Sequence, residues 1–118
     1  RVGDVSEALR ETGSRYDLIF LDPPALAKTR AHVSKALGLY RALNRDAMAA
    51  LEPGGYLITS SCSHFLDLPS FIEVIKRAAR AAQREVWIVE IRAAARDHPV
   101  LLSMPETAYL KNLTLRVY

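Results

Sequence analysis

The chain has 118 residues, of which half are hydrophobic and a quarter charged, with one cysteine and a formal net charge of +3. This balance is typical of a globular core, and it excludes a disordered tail. No apolar run approaches the ~20 residues that a membrane span requires, so a membrane protein is excluded as well. One cysteine excludes an internal disulfide and favours a reducing, cytoplasmic location. The basic excess is compatible with a polyanionic partner without identifying one.

The first elements in chain order are short. Residues 1–2 are predicted to end a strand, and residues 6–12 are predicted to form a short helix. The run Tyr16–Leu21 is almost continuously apolar, which is typical of a strand buried on both faces in a parallel sheet. Asp22-Pro23-Pro24 stops that strand, because proline cannot continue a hydrogen-bonded ladder.

A helical period follows from residue 29 to residue 51, where apolar side chains recur at three- and four-residue steps. Pro53-Gly54-Gly55 is predicted to end this helix, and Gly38 inside it leaves open a division into two helices. A second strand of the buried type is predicted over residues 55–60. It runs into the segment Ser61-Cys62-Ser63-His64.

The remaining elements continue the alternation. A helix is predicted over residues 69–83 with Asp67 as its cap, and a strongly β-prone strand over residues 85–91. Residues 109–118 alternate apolar and polar side chains, which predicts a last strand that runs antiparallel to its neighbour. The sequence therefore predicts an α/β fold with a mostly parallel sheet and a C-terminal antiparallel strand.

Two candidate catalytic residues follow the first two complete strands. Because right-handed crossovers return parallel strands to one direction, Asp22 and Cys62 are expected on the same rim of the sheet, where ligands of open α/β sheets bind. Asp22 would present a carboxylate on a rigid proline turn; the alternative is an ordinary strand-ending turn. Cys62 would be a nucleophile placed ahead of a helix, and the alternative is a buried structural cysteine.

Other site classes have little support. His32, His64 and His98 have no metal-ligand spacing with Cys62 or with one another, so no metal is predicted. No glycine-rich phosphate loop is present, and Gly54-Gly55 is interpreted as a helix stop.

Several motifs together resemble a known family over nearly the whole chain. In order they are Gly3-Asp4, Tyr16 to Pro24, Leu39-Tyr40 with Asn44, residues 54–63, Asp97-His98-Pro99 and Tyr109-Leu110-Lys111. The chain is similar to the C-terminal half of the catalytic domain of bacterial large-subunit ribosomal RNA cytosine-C5 methyltransferases, which carry an N-terminal PUA domain. Each motif alone is weak, and their combination is specific.

The resemblance implies a class I, Rossmann-like methyltransferase fold, a three-layer sandwich of which residues 1–118 are one part. It implies S-adenosyl-L-methionine as cofactor and ribosomal RNA as partner. Asp4 would accept a hydrogen bond from the adenine amine of the cofactor. The implied cofactor-binding residues are Asp4, Val5, Asp22 and Pro23. The implied catalytic residues are Cys62 and Asp22, and the implied substrate-binding residues are Pro24, Lys28, Tyr40 and Ser63.

The chemistry of cytosine explains these residue types. Its C5 atom is a poor nucleophile until a thiolate adds to C6 and turns the ring into an enamine. Asp22 is the candidate acid or hydrogen-bonding group at N3, and the base must be unstacked for either contact. Many RNA cytosine-C5 enzymes carry a second cysteine after the prolines, where this sequence has Ala25. The base that removes the C5 proton is therefore unassigned. Lys28 is a candidate contact to RNA phosphate, with a solvated lysine as the alternative.

Parts of the family pattern have no counterpart in the sequence. The glycine-rich cofactor loop and the N-terminal RNA-binding module do not occur in it, which predicts either an expressed fragment or a split or decayed protein. The isolated chain is expected to be inactive and its parent protein active. Two alternatives stay open: a related ribosomal RNA guanine-N7 methyltransferase without a nucleophilic cysteine, and a non-catalytic piece that forms a homodimer through an exposed sheet edge.

Overall fold

The computed structural model describes residues 3–11, 13 and 15–118. Its helices and strands, in chain order, are α1 (Val5–Arg10), β1 (Tyr16–Leu21), α2 (Val33–Ala50), β2 (Leu51–Ser61), α3 (Leu68–Ala82), β3 (Val86–Arg92) and β4 (Lys111–Val117). Short 3-10 turns, Arg30–His32 and Pro105–Thr107, precede α2 and β4. The strand end predicted for residues 1–2 lies outside the described residues.

The helices follow the predicted periodicity. Helix α2 is continuous through Gly38, because its apolar face is buried on both sides of that glycine, at Ala36 before it and at Tyr40 after it. Helix α3 begins after Asp67, whose carboxylate accepts a hydrogen bond from the Ser70 backbone N–H at 2.8 Å, so the predicted cap is confirmed. It ends at Gln83, which adopts the left-handed conformation with φ of 55°.

The four strands form one mixed sheet in the order β1-β2-β4-β3. Strands β1 and β2 pair in parallel, while β4 lies between β2 and β3 and is antiparallel to both. The predicted parallel pair and the predicted antiparallel C-terminal strand are therefore confirmed. This arrangement brings the carboxyl ends of β1 and β2 to the same edge of the sheet, next to the first residue of β4.

Strand β2 begins earlier than predicted. It starts at Leu51, directly after α2, rather than at Gly55, and Leu51 pairs with Tyr16 before the register shifts between Tyr16 and Leu18. Gly54 makes this irregularity possible with φ of 86°. A Cβ atom at Gly55 would lie 3.1 Å from the Asp17 carbonyl oxygen, so the close approach of β1 requires glycine there. The two glycines thus permit a bulge inside the strand and do not mark the helix end.

The sheet is covered by helices on one face only within the described residues. Side chains of β2 and β4 that face α2 and α3 form the core, among them Leu57, Leu113 and Leu115, each with no exposed surface. The opposite face carries exposed apolar side chains, and Phe20 is 69 % exposed. The prediction that β1 is buried on both faces is therefore wrong for the described residues. The reason is that β1 is an edge strand and that, within the described residues, helices cover only one of its two faces.

Among the described residues, no helix is both long and apolar enough to cross a bilayer.

A candidate active site at the carboxyl ends of β1 and β2

The two predicted catalytic residues lie on one rim, as expected. Leu21, the last residue of β1, pairs with Thr59 of β2, and β2 ends two residues later at Ser61. Asp22 and Cys62 directly follow these two strand ends. Asp22 is exposed and Cys62 is partly buried, so both can be reached from solvent.

A cleft of about 480 Å³ opens beside the end of β1, between α1 and α2. It brings together all four predicted cofactor residues and one predicted substrate residue: Asp4, Val5, Asp22, Pro23 and Pro24. Apolar side chains form most of the remaining wall: Leu21, Leu26, Leu39, Ala42 and Leu43. Carboxylates set against an apolar wall are the composition expected of a pocket for a small organic ligand.

Asp4 is held in a fixed orientation at this cleft. Its Oδ1 atom accepts hydrogen bonds from the backbone N–H groups of Ser6, at 2.8 Å, and Glu7, at 3.2 Å, and so caps α1. Helix α1 is in turn held against α2, because Arg10 donates to the largely buried carboxylate of Asp46 at 2.8 Å. The capping bonds fix the direction in which the Asp4 carboxylate can meet a ligand.

The segment around Cys62 rests on a chain of buried hydroxyl groups. Ser61 donates to the hydroxyl of Tyr40 at 3.1 Å, and the backbone N–H of Ser63 donates to the Ser61 hydroxyl at 3.3 Å. The hydroxyl of Ser63 donates to the Ala27 carbonyl at 3.2 Å, which ties the segment to the loop after Pro24. The loop after β1, helix α2 and strand β2 therefore all contribute to the placement of Cys62.

Two of the residues predicted to bind substrate are enclosed: Tyr40 is 1 % exposed and Ser63 has no exposed surface. Their hydroxyls are used inside the chain, so the geometry favours support of the Cys62 segment over contact with RNA. Pro24 and Lys28 are exposed, in keeping with the contacts expected of them.

Lys111 is a polar residue of this site that belongs to the motif Tyr109-Leu110-Lys111 and has no role predicted from the sequence. Its Nζ atom donates to the Ser63 carbonyl at 2.7 Å, and the residue is 8 % exposed. Burial lowers the pKa of Lys111, while the negative charges of Cys62 and Asp67 act in the opposite direction. A signal was present in the sequence, since Lys111 has the same alternation phase as the core residues Leu113 and Leu115.

A second cleft, of about 370 Å³, lies beside the residues that follow the Cys62 segment, and Lys111 forms part of its wall. The rings of His64 and Tyr109, both at this cleft, stack with their centres 4.4 Å apart. The Asp97-His98 motif lies elsewhere: both side chains are exposed, they pair with each other at 3.3 Å, and neither lines the two clefts. Within the described residues, no His, Cys, Asp and Glu side chains are grouped as metal ligands would be.

Searches against known proteins give relatives with one recurrent name. The chain is 41 % identical over 109 residues to a ribosomal RNA large subunit methyltransferase I of Shewanella denitrificans, covering 92 % of this chain and 28 % of that protein. A protein of the same name from Erwinia tasmaniensis is 41 % identical over 108 residues, with 92 % and 27 % covered. The chain thus spans little more than a quarter of the length of these relatives. No model of a protein family matches it.

Solved structures give the same fold. A methyltransferase crystallised in complex with SAH superposes with a TM-score of 0.78 at 23 % identity, covering 98 % of this chain and 30 % of that one. A SAM-dependent methyltransferase from Streptococcus mutans gives 0.75 at 21 % identity, with 98 % and 30 % covered. A methyltransferase homologue from Pyrococcus horikoshii gives 0.65 at 22 % identity, with 94 % and 42 % covered. The chain has the Rossmann-like fold of these proteins.

Proposed function

We propose that the chain is the base-binding part of the catalytic domain of a ribosomal RNA methyltransferase that uses S-adenosylmethionine. The observation that carries this proposal is the match to the large-subunit enzymes, which extends over 92 % of the chain at about 40 % identity. That span includes both strand ends, so the aligned region is the one that holds Asp22 and Cys62. The substrate, RNA, comes from the names of these relatives and is part of the proposal.

The cleft at α1 fits one end of the cofactor. A carboxylate at Asp4, already oriented by its capping bonds, can accept a hydrogen bond from an exocyclic amine, and the apolar wall suits a flat heteroaromatic ring. Asp4, Val5, Asp22 and Pro23 would hold this end. When bound, the cofactor supplies an electrophilic sulfonium methyl group. The sequence has no glycine-rich loop for the methionine end.

We further propose that the target atom is C5 of a cytosine and that Cys62 attacks the base. The Cys62 thiolate forms a bond to C6, and the displaced electron pair makes C5 nucleophilic. Asp22 stands on the same rim as Cys62 and would hold or protonate N3, where negative charge develops. A proton given to N3 returns to Asp22 as the electron pair moves back to C5. Once C5 carries the new methyl group, its own proton leaves to a base, the C5–C6 double bond re-forms and the sulfur departs as thiolate.

The network beneath Cys62 suits this chemistry. A nucleophile that must add to a ring and leave again needs a fixed position, because a small misplacement reduces the rate strongly. Buried bonds from Ser61 and Ser63 hold the segment on either side of Cys62. A guanine-N7 enzyme requires no nucleophilic thiol, so a reactive Cys62 distinguishes the two base chemistries.

Trapping of a covalent adduct tests the proposal. A protein of the relatives' full length that carries this sequence should form a denaturation-resistant complex with RNA containing 5-fluorocytosine, because fluorine blocks the final proton removal. The complex should disappear in Cys62→Ala. Methylation of ordinary RNA at an undiminished rate by Cys62→Ser would contradict the covalent route. Methylation of guanine N7 without any adduct would favour the alternative enzyme.

A further inference from the structure

Lys111 occupies a position that is unusual for lysine. It is the first residue of β4 and shares the helix-facing side of the sheet with Leu113 and Leu115. Lysine is almost never enclosed in this way without a partner, because removing its charge from water is costly. A specific contact must therefore compensate for the burial.

That contact is the segment that carries Cys62. Lys111 pairs with Ser61 across β2 and β4, and its Nζ atom reaches the Ser63 carbonyl at 2.7 Å. The backbone N–H and hydroxyl of Ser63 are engaged by Ser61 and Ala27. The Ser63 carbonyl also accepts a hydrogen bond from the Leu66 N–H at 3.4 Å, so Lys111 adds a fourth bond to Ser63 and brings a positive charge to the segment that follows Cys62.

Burial and the neighbouring charges shift the pKa of Lys111 in opposite directions. Burial, the largest influence, lowers the pKa of Lys111, while the negative charges of Cys62 and Asp67 raise it. The ammonium group of Lys111 therefore lies close enough to the Cys62 side chain for the two to interact electrostatically.

We propose that Lys111 is a positioning residue for Cys62: its buried ammonium group fixes the segment after β2 through the Ser63 carbonyl and promotes reaction at the sulfur beside it. The catalytic meaning of this role rests on the proposed function. The interaction itself can be tested without RNA or cofactor. Lys111 touches neither in this assignment, and it acts through the sulfur and the backbone beside it.

The rate at which iodoacetamide alkylates Cys62 measures the effect of Lys111 on this thiol directly. Cys62 is the only cysteine of the chain, so the rate of modification followed by mass spectrometry reports this thiol alone. Because the thiolate is the reactive form, we expect Lys111→Met to be alkylated about three- to tenfold more slowly than the unaltered chain at pH 7. The matched control is Lys76→Met, which removes the same charge from an exposed lysine on α3. Its rate should be unchanged.

A second variant changes the rate in the opposite direction. Asp67→Asn removes a negative charge that competes with Cys62 for the lysine, while asparagine can keep the hydrogen bond to the Ser70 N–H that starts α3. We expect alkylation about two- to threefold faster. Glu73→Gln, an equal charge change at an exposed pair on the same helix, is the control. The same change made together with Lys111→Met should accelerate alkylation less, because the part that acts through the lysine is lost. Equal acceleration with and without the lysine would show that Asp67 acts on the sulfur independently of Lys111.

The outcomes separate this inference from the proposed function. Equal rates in the unaltered chain and a folded Lys111→Met overturn the role of Lys111. If circular dichroism shows that Lys111→Met does not fold, Asp67→Asn decides, and an unchanged or slower rate overturns the role. Failure of the fluorocytosine trap with a slowed Lys111→Met would refute the cytosine chemistry and leave the lysine–thiolate interaction standing.

Discussion

Ser61 and Tyr40 form a hydrogen-bonded pair of hydroxyls that is closed off from solvent, with 3.1 Å between the oxygens. The pair joins β2 to α2 directly beneath Cys62. Inside a protein, removing one partner of such a pair costs more than the bond contributes, because the other partner is left without its bond. The ring of Tyr40 also packs edge-on against Phe71, with centres 6.0 Å apart.

Tyr40→Phe isolates the contribution of this hydroxyl, because phenylalanine preserves the ring contact. We expect the free energy of unfolding, measured with urea, to fall by about 1–2 kcal/mol. Tyr118→Phe, at an exposed ring, should leave it nearly unchanged. Equal stabilities of the two variants would show that the pair does not support the segment as described.

Single residues were predictable from sequence only where a short-range rule fixes them. Asp22 and Cys62 directly follow the parallel strands β1 and β2, so their place on the rim follows from the direction of the strands alone. Lys111 depends on the pairing of β4 with β2, a contact across fifty residues of sequence. Without that pairing a lysine is expected in water, which is why its contact with Ser63 could not be predicted.

At the scale of single elements, α3 shows how a charge at a helix start couples structure to pH. The pKa of Asp67 is lowered by hydrogen bonds from Ser70, first from its hydroxyl and then from its backbone N–H. A carboxyl whose pKa is lower in the folded chain than in the unfolded one favours folding while it is ionised in both states. This contribution is present above the ordinary value of 3.8 and is lost as the pH falls through the lowered value.

Asp67→Ala is therefore expected to lower the urea midpoint at pH 6 and to lower it progressively less as the pH falls below 3.8. The decrease follows because the unaltered chain loses the ionised cap over the same range. Asp67→Asn should keep most of the stability at pH 6, since its amide oxygen can accept the Ser70 N–H bond. A difference between Asp67→Ala and the unaltered chain that stays constant from pH 6 to pH 2 would contradict this account.

Helices and strands with a regular apolar period can be predicted from the sequence, whereas the irregular start of β2 cannot. The apolar steps along α2 and α3 and the alternation along β4 are local properties, and each predicted element is present. The sequence predicts the start of β2 too late, because a proline and two glycines usually end a helix or a strand. In the structure these three residues lie in the bulge of β2 opposite Asp17, and the bulge becomes apparent only from the pairing of β2 with β1.

At the scale of the whole molecule, the sheet has one covered and one open face within the described residues. Helices α2 and α3 enclose one side, whereas Leu18, Phe20, Tyr56 and Trp87 remain exposed on the other. The relatives are more than three times as long as the part of them that aligns with this chain. Which face of the sheet is covered is a property of layers and not of strand sequence, so it could not be predicted from β1 alone.

The part of the whole domain that this chain represents also determines the affinity for the cofactor that we expect. In the proposed site, residues of this chain would contact only one end of S-adenosylmethionine, and the sequence contains no glycine-rich loop to hold the other end. We expect the 118-residue chain by itself to bind it with a Kd weaker than about 1 mM in isothermal titration calorimetry. A protein of the relatives' full length should bind far more tightly. Micromolar binding by the short chain would show that the glycine loop is dispensable.

The open face of the sheet carries a fluorescent side chain whose emission depends on its surroundings. Trp87 is the only tryptophan of the chain, it is 60 % exposed, and its indole N–H donates to Glu85 at 2.9 Å. An indole in water emits at longer wavelength than one in an apolar contact. Fluorescence of the unlabelled protein therefore registers any surface that comes to lie on this face, as a shift of the emission towards the blue.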